Sequence, residues 1–120
     1  MKLRLRGNSI RIRLMQKEVE DLMNAHSIDE TVELASGSFC YKLVISDSFN
    51  AIFEVGHLVV SIPADVAEAW NSTDEVCIDH FLDLRGDKQL RILVEKDLKC
   101  NEIRPHEDDS DAFTYPNKSC

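Results

Sequence analysis

The sequence predicts an α+β domain built from a duplicated strand-strand-helix-strand-strand unit. Three observations carry this. Apolar and polar residues alternate in short segments with period two, as on half-buried strands. Two intervening segments switch to helical period. Ile10, Ile12, Leu14, Val19 and Leu22 fall onto Leu58, Val60, Ile62, Ala67 and Trp70 with one constant offset of 48 residues. The prediction is one eight-stranded antiparallel sheet, or an open barrel, with both helices on its outer face. Residues 1–97 form the domain, with pseudo-repeats 1–48 and 49–97, and residues 98–120 follow as an irregular acidic tail.

Each element has a local reason. Residues 2–6 (KLRLR) place Leu3 and Leu5 on one face and Lys2, Arg4 and Arg6 on the other. Gly7-Asn8-Ser9 is turn chemistry, because Gly and Asn tolerate positive φ. Residues 10–14 (IRIRL) alternate again, with Arg11 and Arg13 opposite the apolar side, which makes a hairpin with the first strand. Gln16 to Ala25 is helical, and His26-Ser27 ends it. Residues 31–35 and 40–46 read as strands around Ser36-Gly37-Ser38. The pattern then restarts. Residues 51–55 and 58–62 form a hairpin around Gly56-His57, Pro63 suits a helix start, and Ala64 to Asn71 is the second helix. Residues 76–82 and 89–95 close the domain around an Arg85-Gly86-Asp87 turn. With these bounds the second helix-to-strand link, residues 72–75, is shorter than the first, residues 26–30.

A charge of −8 on 120 residues hides a segregation. Residues 1–13 carry five bases and no acid, whereas residues 14–97 carry 6 bases and 17 acids. The acidic total argues for solubility and against nucleic-acid binding, because a duplex would be repelled outside the basic hairpin. The non-core strand positions collect Lys2, Arg4, Arg6, Arg11, Arg13, Lys42 and Arg91 against Glu33, Glu54, Asp79 and Glu95, leaving about +3 on one face. Burying dry arginines costs several kcal/mol per ion. That face is therefore wet, internally paired, or filled by an anion.

The doubled order of strands and helices with a basic face resembles the CYTH-like, or triphosphate-tunnel, fold, in which eight antiparallel strands close around a charged tunnel. The segments KLRLRGNSIRIRL at 2–14, ILVEKDLKC at 92–100 and EDDSDAF at 107–113 are similar to a small uncharacterised bacterial family of about this length. That resemblance covers most of the chain and implies no known activity. The tunnel enzymes carry Glu-x-Glu-x-Lys in the first strand, where this chain has Lys2-Leu3-Arg4-Leu5-Arg6. The departure puts metal-dependent triphosphate cleavage in doubt and leaves polyanion binding open.

Other chemistry finds little footing. Cys77 and His80 have ligand-like spacing but point to opposite faces of a strand. Cys100 and His106 are irregularly placed, and a structural zinc needs four convergent ligands. Asp108, Asp109 and Asp111 lack the frame of a calcium loop. No GxSxG elbow and no glycine-rich phosphate loop occurs, so neither a catalytic residue, a metal nor a cofactor is assigned. No signal precedes the first strand, no apolar run is long enough to span a membrane, and four cysteines lie apart without a CxxC pair. Together these read as a cytoplasmic protein with reduced thiols.

The functional expectation is a basic site of Arg4, Arg6, Arg11, Arg13, Lys42 and Arg91 taking a phosphorylated or polyphosphate small molecule. Guanidinium groups grip phosphate oxygens in bidentate fashion. The alternative is a non-enzymatic interaction module, in which the arginines pair with Glu54, Asp79 and Glu95 and an exposed sheet edge or the acidic tail meets an unknown protein partner.

Overall fold

A computed structural model describes residues 1–98 and residue 113 of the chain. The elements run β1 (Lys2–Arg6), β2 (Ser9–Leu14), α1 (Gln16–Ala25), β3 (Ser27–Leu34), β4 (Gly37–Ser46), β5 (Asn50–Glu54), β6 (His57–Pro63), α2 (Ala64–Ser72), β7 (Cys77–Asp83) and β8 (Gln89–Lys96). Among the described residues the class is α+β with two helices and eight strands, as the periodicities require. The predicted tail, with its acidic cluster, lies almost wholly outside the described residues.

The sheet prediction needs correcting. Among the described residues the strands form two four-stranded mixed sheets, not one antiparallel sheet, and no barrel closes. Sheet I has the order β1-β2-β8-β7 and sheet II the order β3-β4-β6-β5. The central pairs are parallel: β2 with β8, and β4 with β6. The tunnel expected from the resemblance is therefore not formed by these strands. The physical reason is that alternation reports one apolar face per strand and not its neighbours. One curled sheet and two facing sheets satisfy that pattern equally.

The helices also sit differently from the expectation. Each carries the chain from one sheet to the other, α1 from β2 to β3 and α2 from β6 to β7, so the two are not laid on one sheet's outer face. α1 packs on β2, β3 and β4, α2 on β4, β6 and β7, and the helices touch each other. All ten residues related by the 48-residue offset are buried, and Leu22 and Trp70 are fully so. The Trp70 indole also donates to the Val76 carbonyl at 3.0 Å, which satisfies its one polar atom.

The links after the helices reverse the predicted inequality. His26 alone joins α1 to β3, taking a left-handed φ of 64° while its N–H bonds the Leu22 carbonyl at 2.8 Å. That geometry ends a helix and turns the chain in one residue. Thr73 is extended instead, and residues 73–76 lead from α2 to β7. The second link is thus the longer one.

Two contacts close the seam between sheets. The Tyr41 hydroxyl of β4 lies 2.9 Å from the Met1 carbonyl oxygen, just before β1, and 2.7 Å from the Glu30 carboxylate. Phe49, just before β5, stacks on His80 of β7 with ring centroids 3.8 Å apart and planes 6° from parallel. No helix among the described residues is long and apolar enough to cross a membrane.

Candidate functional site

The strand registers decide which basic residues share a face. On the outer side of sheet I, Lys2, Arg13, Glu95 and Cys77 form one row across the four strands. Arg4, Arg11, Leu93 and Asp79 form the next, and Arg6, Ser9, Arg91 and Phe81 the third. Six bases therefore stand on the face that also carries Asp79, Asp83 and Glu95. The hairpin turn at residues 7–8 fixes this register, with Gly7 at φ 54° where a side chain would be strained.

A groove of about 350 Å³ opens on this face, lined by Arg4, Arg6, Arg11 and Arg91 with Gly7, Ser9 and Leu93. Four arginines from three strands thus line one cavity. Arg4 stands directly opposite Arg11 in the β1–β2 ladder. Like charges so placed repel, so the groove calls for negative charge close by.

Part of that charge is built in. Glu95, only 4% exposed, lies 3.0 Å from Arg13 Nε and 3.5 Å from Arg11 Nε. Asp79 takes Arg91 in a bidentate fork, accepting from Nε at 3.0 Å and from Nη2 at 2.8 Å. Those hydrogen bonds, opposed by burial, raise the Arg91 pKa further above its already high value. At the sheet's other end Lys2 pairs with Asp97 at 2.9 Å. Arg4 and Arg6 are the exposed arginines of the groove.

Two members of the predicted site stand apart. Lys42 lies on β4 in sheet II, opposite Asp29 and Val59, so a different sheet carries it. Arg13 shares the outer face of sheet I but turns to Glu95 instead of lining the groove. Glu33 and Glu54 also belong to sheet II, Glu54 beside His57, and are not partners for the sheet I arginines. Lys42, Glu33 and Glu54 are displaced for one cause, that alternation assigns a face within a strand but cannot assign strands to sheets, whereas Arg13 is drawn aside by Glu95.

Sequence reasoning missed Ser9, Leu93 and Phe81. The signal for Phe81 was present, since Asp79, Phe81 and Asp83 alternate outward against Ile78, His80 and Leu82. Cys77 and His80 diverge as expected, Cys77 across from Glu95 and His80 inward on Phe49. Burial first, then the neighbouring Glu95 and Asp79 carboxylates, push the Cys77 thiol pKa up, which disfavours a reactive thiolate. Among the described residues no cluster of His, Cys, Asp and Glu could hold a metal ion. Cys100, His106, Asp108, Asp109 and Asp111 lie outside those residues. A second cavity of about 380 Å³, near α1, α2 and the end of β8, sets Lys96 against Glu20 and Asp97 and lacks a cationic excess.

The model of a family of unknown function, DUF7009, matches residues 1–117. The chain belongs to that family. The match spans both sheets, both helices and every residue of the groove, so the DUF7009 unit and the fold described here coincide. No curated protein and no solved structure matches the chain.

Proposed function

We propose that this DUF7009 protein binds a small phosphorylated or polyphosphate molecule in the sheet I groove. The observation that carries the reading is the convergence of Arg4, Arg6, Arg11 and Arg91 on one open cavity. Glu95 and Asp79 do not abolish the site; they hold Arg11 and Arg91 in place. The exposed Arg4 and Arg6 complete the grip on phosphate oxygens, where a planar fork is the fitting donor. The groove is open on one sheet and not enclosed, which suits a compact anion better than a long duplex against an acidic body. Free thiols at Cys40 and Cys77 support a reducing, cytoplasmic setting.

The test is a thermal-shift series of phosphate, pyrophosphate and tripolyphosphate against chloride at equal ionic strength. A ligand at a hundredfold excess over its Kd adds ~2.7 kcal/mol, which is readily measured in a domain of this size. Such salts stabilise proteins generically by exclusion, so the control is the Arg4→Gln, Arg6→Gln double variant. Both side chains are exposed, and the substitutions leave the buried Arg11–Glu95 pair intact. The specific gain disappears in the variant while the generic part persists.

A second reading, an interaction module, rests on another face. Val32, Leu34, Phe53 and Val55 are exposed near the hairpin turns of sheet II, and Phe39 brings its ring to 6.0 Å from that of Phe53. Exposed contiguous apolar surface marks interaction sites. Equal responses of wild type and double variant across the anion series transfer the weight to this reading.

A further inference from the structure

An aromatic side chain stands beside the groove's Arg91. Phe81 of β7 lies in the same cross-strand row as Arg91, Ser9 and Arg6, on the outward face and 52% exposed. The Arg91 guanidinium lies over its ring, 5.3 Å from the centroid. Asp79 holds that guanidinium by its Nε and Nη2 edge. An arginine held by its edge and lying over Phe81 keeps its other flat face for stacking, with the exposed Phe81 ring as its backing.

We infer that the phosphorylated ligand carries a planar aromatic ring, as a nucleotide does, and that the ring stacks at Phe81 and Arg91 while its phosphates engage Arg4, Arg6 and Arg11. This rests on the anion-binding reading of the groove and specifies its ligand class. The spacing suits it. Arg91 and Arg6 stand two strands apart, ~10 Å at ordinary strand separation, which leaves room for a sugar between ring and phosphates. Leu93, between Arg11 and Asp79 in the neighbouring row, gives the groove an apolar floor. A site for inorganic polyphosphate alone has no use for an outward phenylalanine stacked against one of its arginines. Stacking on an aromatic side chain accepts any base, because every base has a π-face.

The experiment is calorimetric titration of ADP and of pyrophosphate, both without divalent metal, into wild type, Phe81→Leu and Phe81→Trp. ADP binds wild type ~10-fold or more tightly than pyrophosphate, on the scale of one stacked base. Phe81→Leu removes that advantage and leaves pyrophosphate affinity unchanged, while Phe81→Trp keeps it. Equal affinities of wild type for ADP and pyrophosphate overturn the inference and leave the anion site standing. Equal weakening of both ligands by Phe81→Leu overturns it too, since the ring then acts only by supporting Arg91. Absence of binding by either ligand overturns the anion site and this inference together.

Discussion

Glu95 on β8 sits 3.5 Å from Arg11 on the parallel strand β2, and both are buried on the outer face of sheet I, at 4% and 7% exposure. The same carboxylate serves Arg13 at 3.0 Å. One buried acid thus bridges two guanidinium groups, which ties the arginines of β2 to β8. Glu95→Gln removes the countercharge and keeps the shape. Breaking such a pair costs ~3–5 kcal/mol, because it leaves uncompensated charge out of water. Urea denaturation shows the loss, and adding pyrophosphate recovers part of it by supplying the missing negative charge.

Trp70 is the largest fully buried side chain and joins α2 to the sheets. Trp70→Ala opens a cavity and removes one of the two hydrogen bonds that the Val76 carbonyl accepts, the other coming from the Lys96 N–H, at a cost of ~3–5 kcal/mol. The denaturation midpoint falls accordingly, while Glu68→Ala on the exposed side of the same helix leaves it nearly unchanged.

The two-residue turn between β5 and β6 places Val55 at φ 48° and Gly56 at φ 75°. A β-branched residue in the left-handed region is strained, and Val55 is 95% exposed, so packing gives no return. Turns with two positive φ angles favour Asn-Gly. Val55→Asn raises stability by ~1 kcal/mol, read as a higher melting temperature. Gly56→Ala lowers it, since its Cβ would lie 2.9 Å from the Ser38 carbonyl oxygen as well as adopt a disfavoured φ.

Tyr41 ties the alkaline limit to the seam between the sheets. Burial, then the hydrogen bond and charge of Glu30, push its phenol up from 10 to about 12. The unfolded chain releases this proton near pH ~10. The contribution to stability is therefore complete below that pH and is lost as pH rises through about 12. Ultraviolet titration shows a tyrosine ionising in that range, and Glu30→Gln brings it back toward the ordinary value.

Alternation in KLRLR and IRIRL was enough to place Arg4, Arg6, Arg11 and Arg13 on one side of one hairpin, because a two-residue turn leaves few registers. Arg91 followed from the same rule on β8. Lys42 did not, although its strand alternates as well, because its neighbours are set by chain crossings that no local pattern records. β8 slips between β2 and β7, and β6 between β4 and β5. Those insertions create two mixed sheets from a pattern equally fitting for one. The aromatic edge was legible on β7 by alternation, but only the parallel pairing of β8 with β2, which no local pattern records, brings Phe81 into one row with Arg6 and Ser9.

The central claim is that sheet I, and within it the arginine groove, takes a phosphate-bearing ligand. Backbone amide NMR during a pyrophosphate titration tests it most directly, since every residue of both sheets but Pro63 reports separately. The account predicts saturable shifts at Arg4, Arg6, Ser9, Arg11 and Arg91, with Lys42 and Val59 on sheet II unmoved. Shifts absent from the groove, or spread evenly over both sheets without saturation, would contradict it.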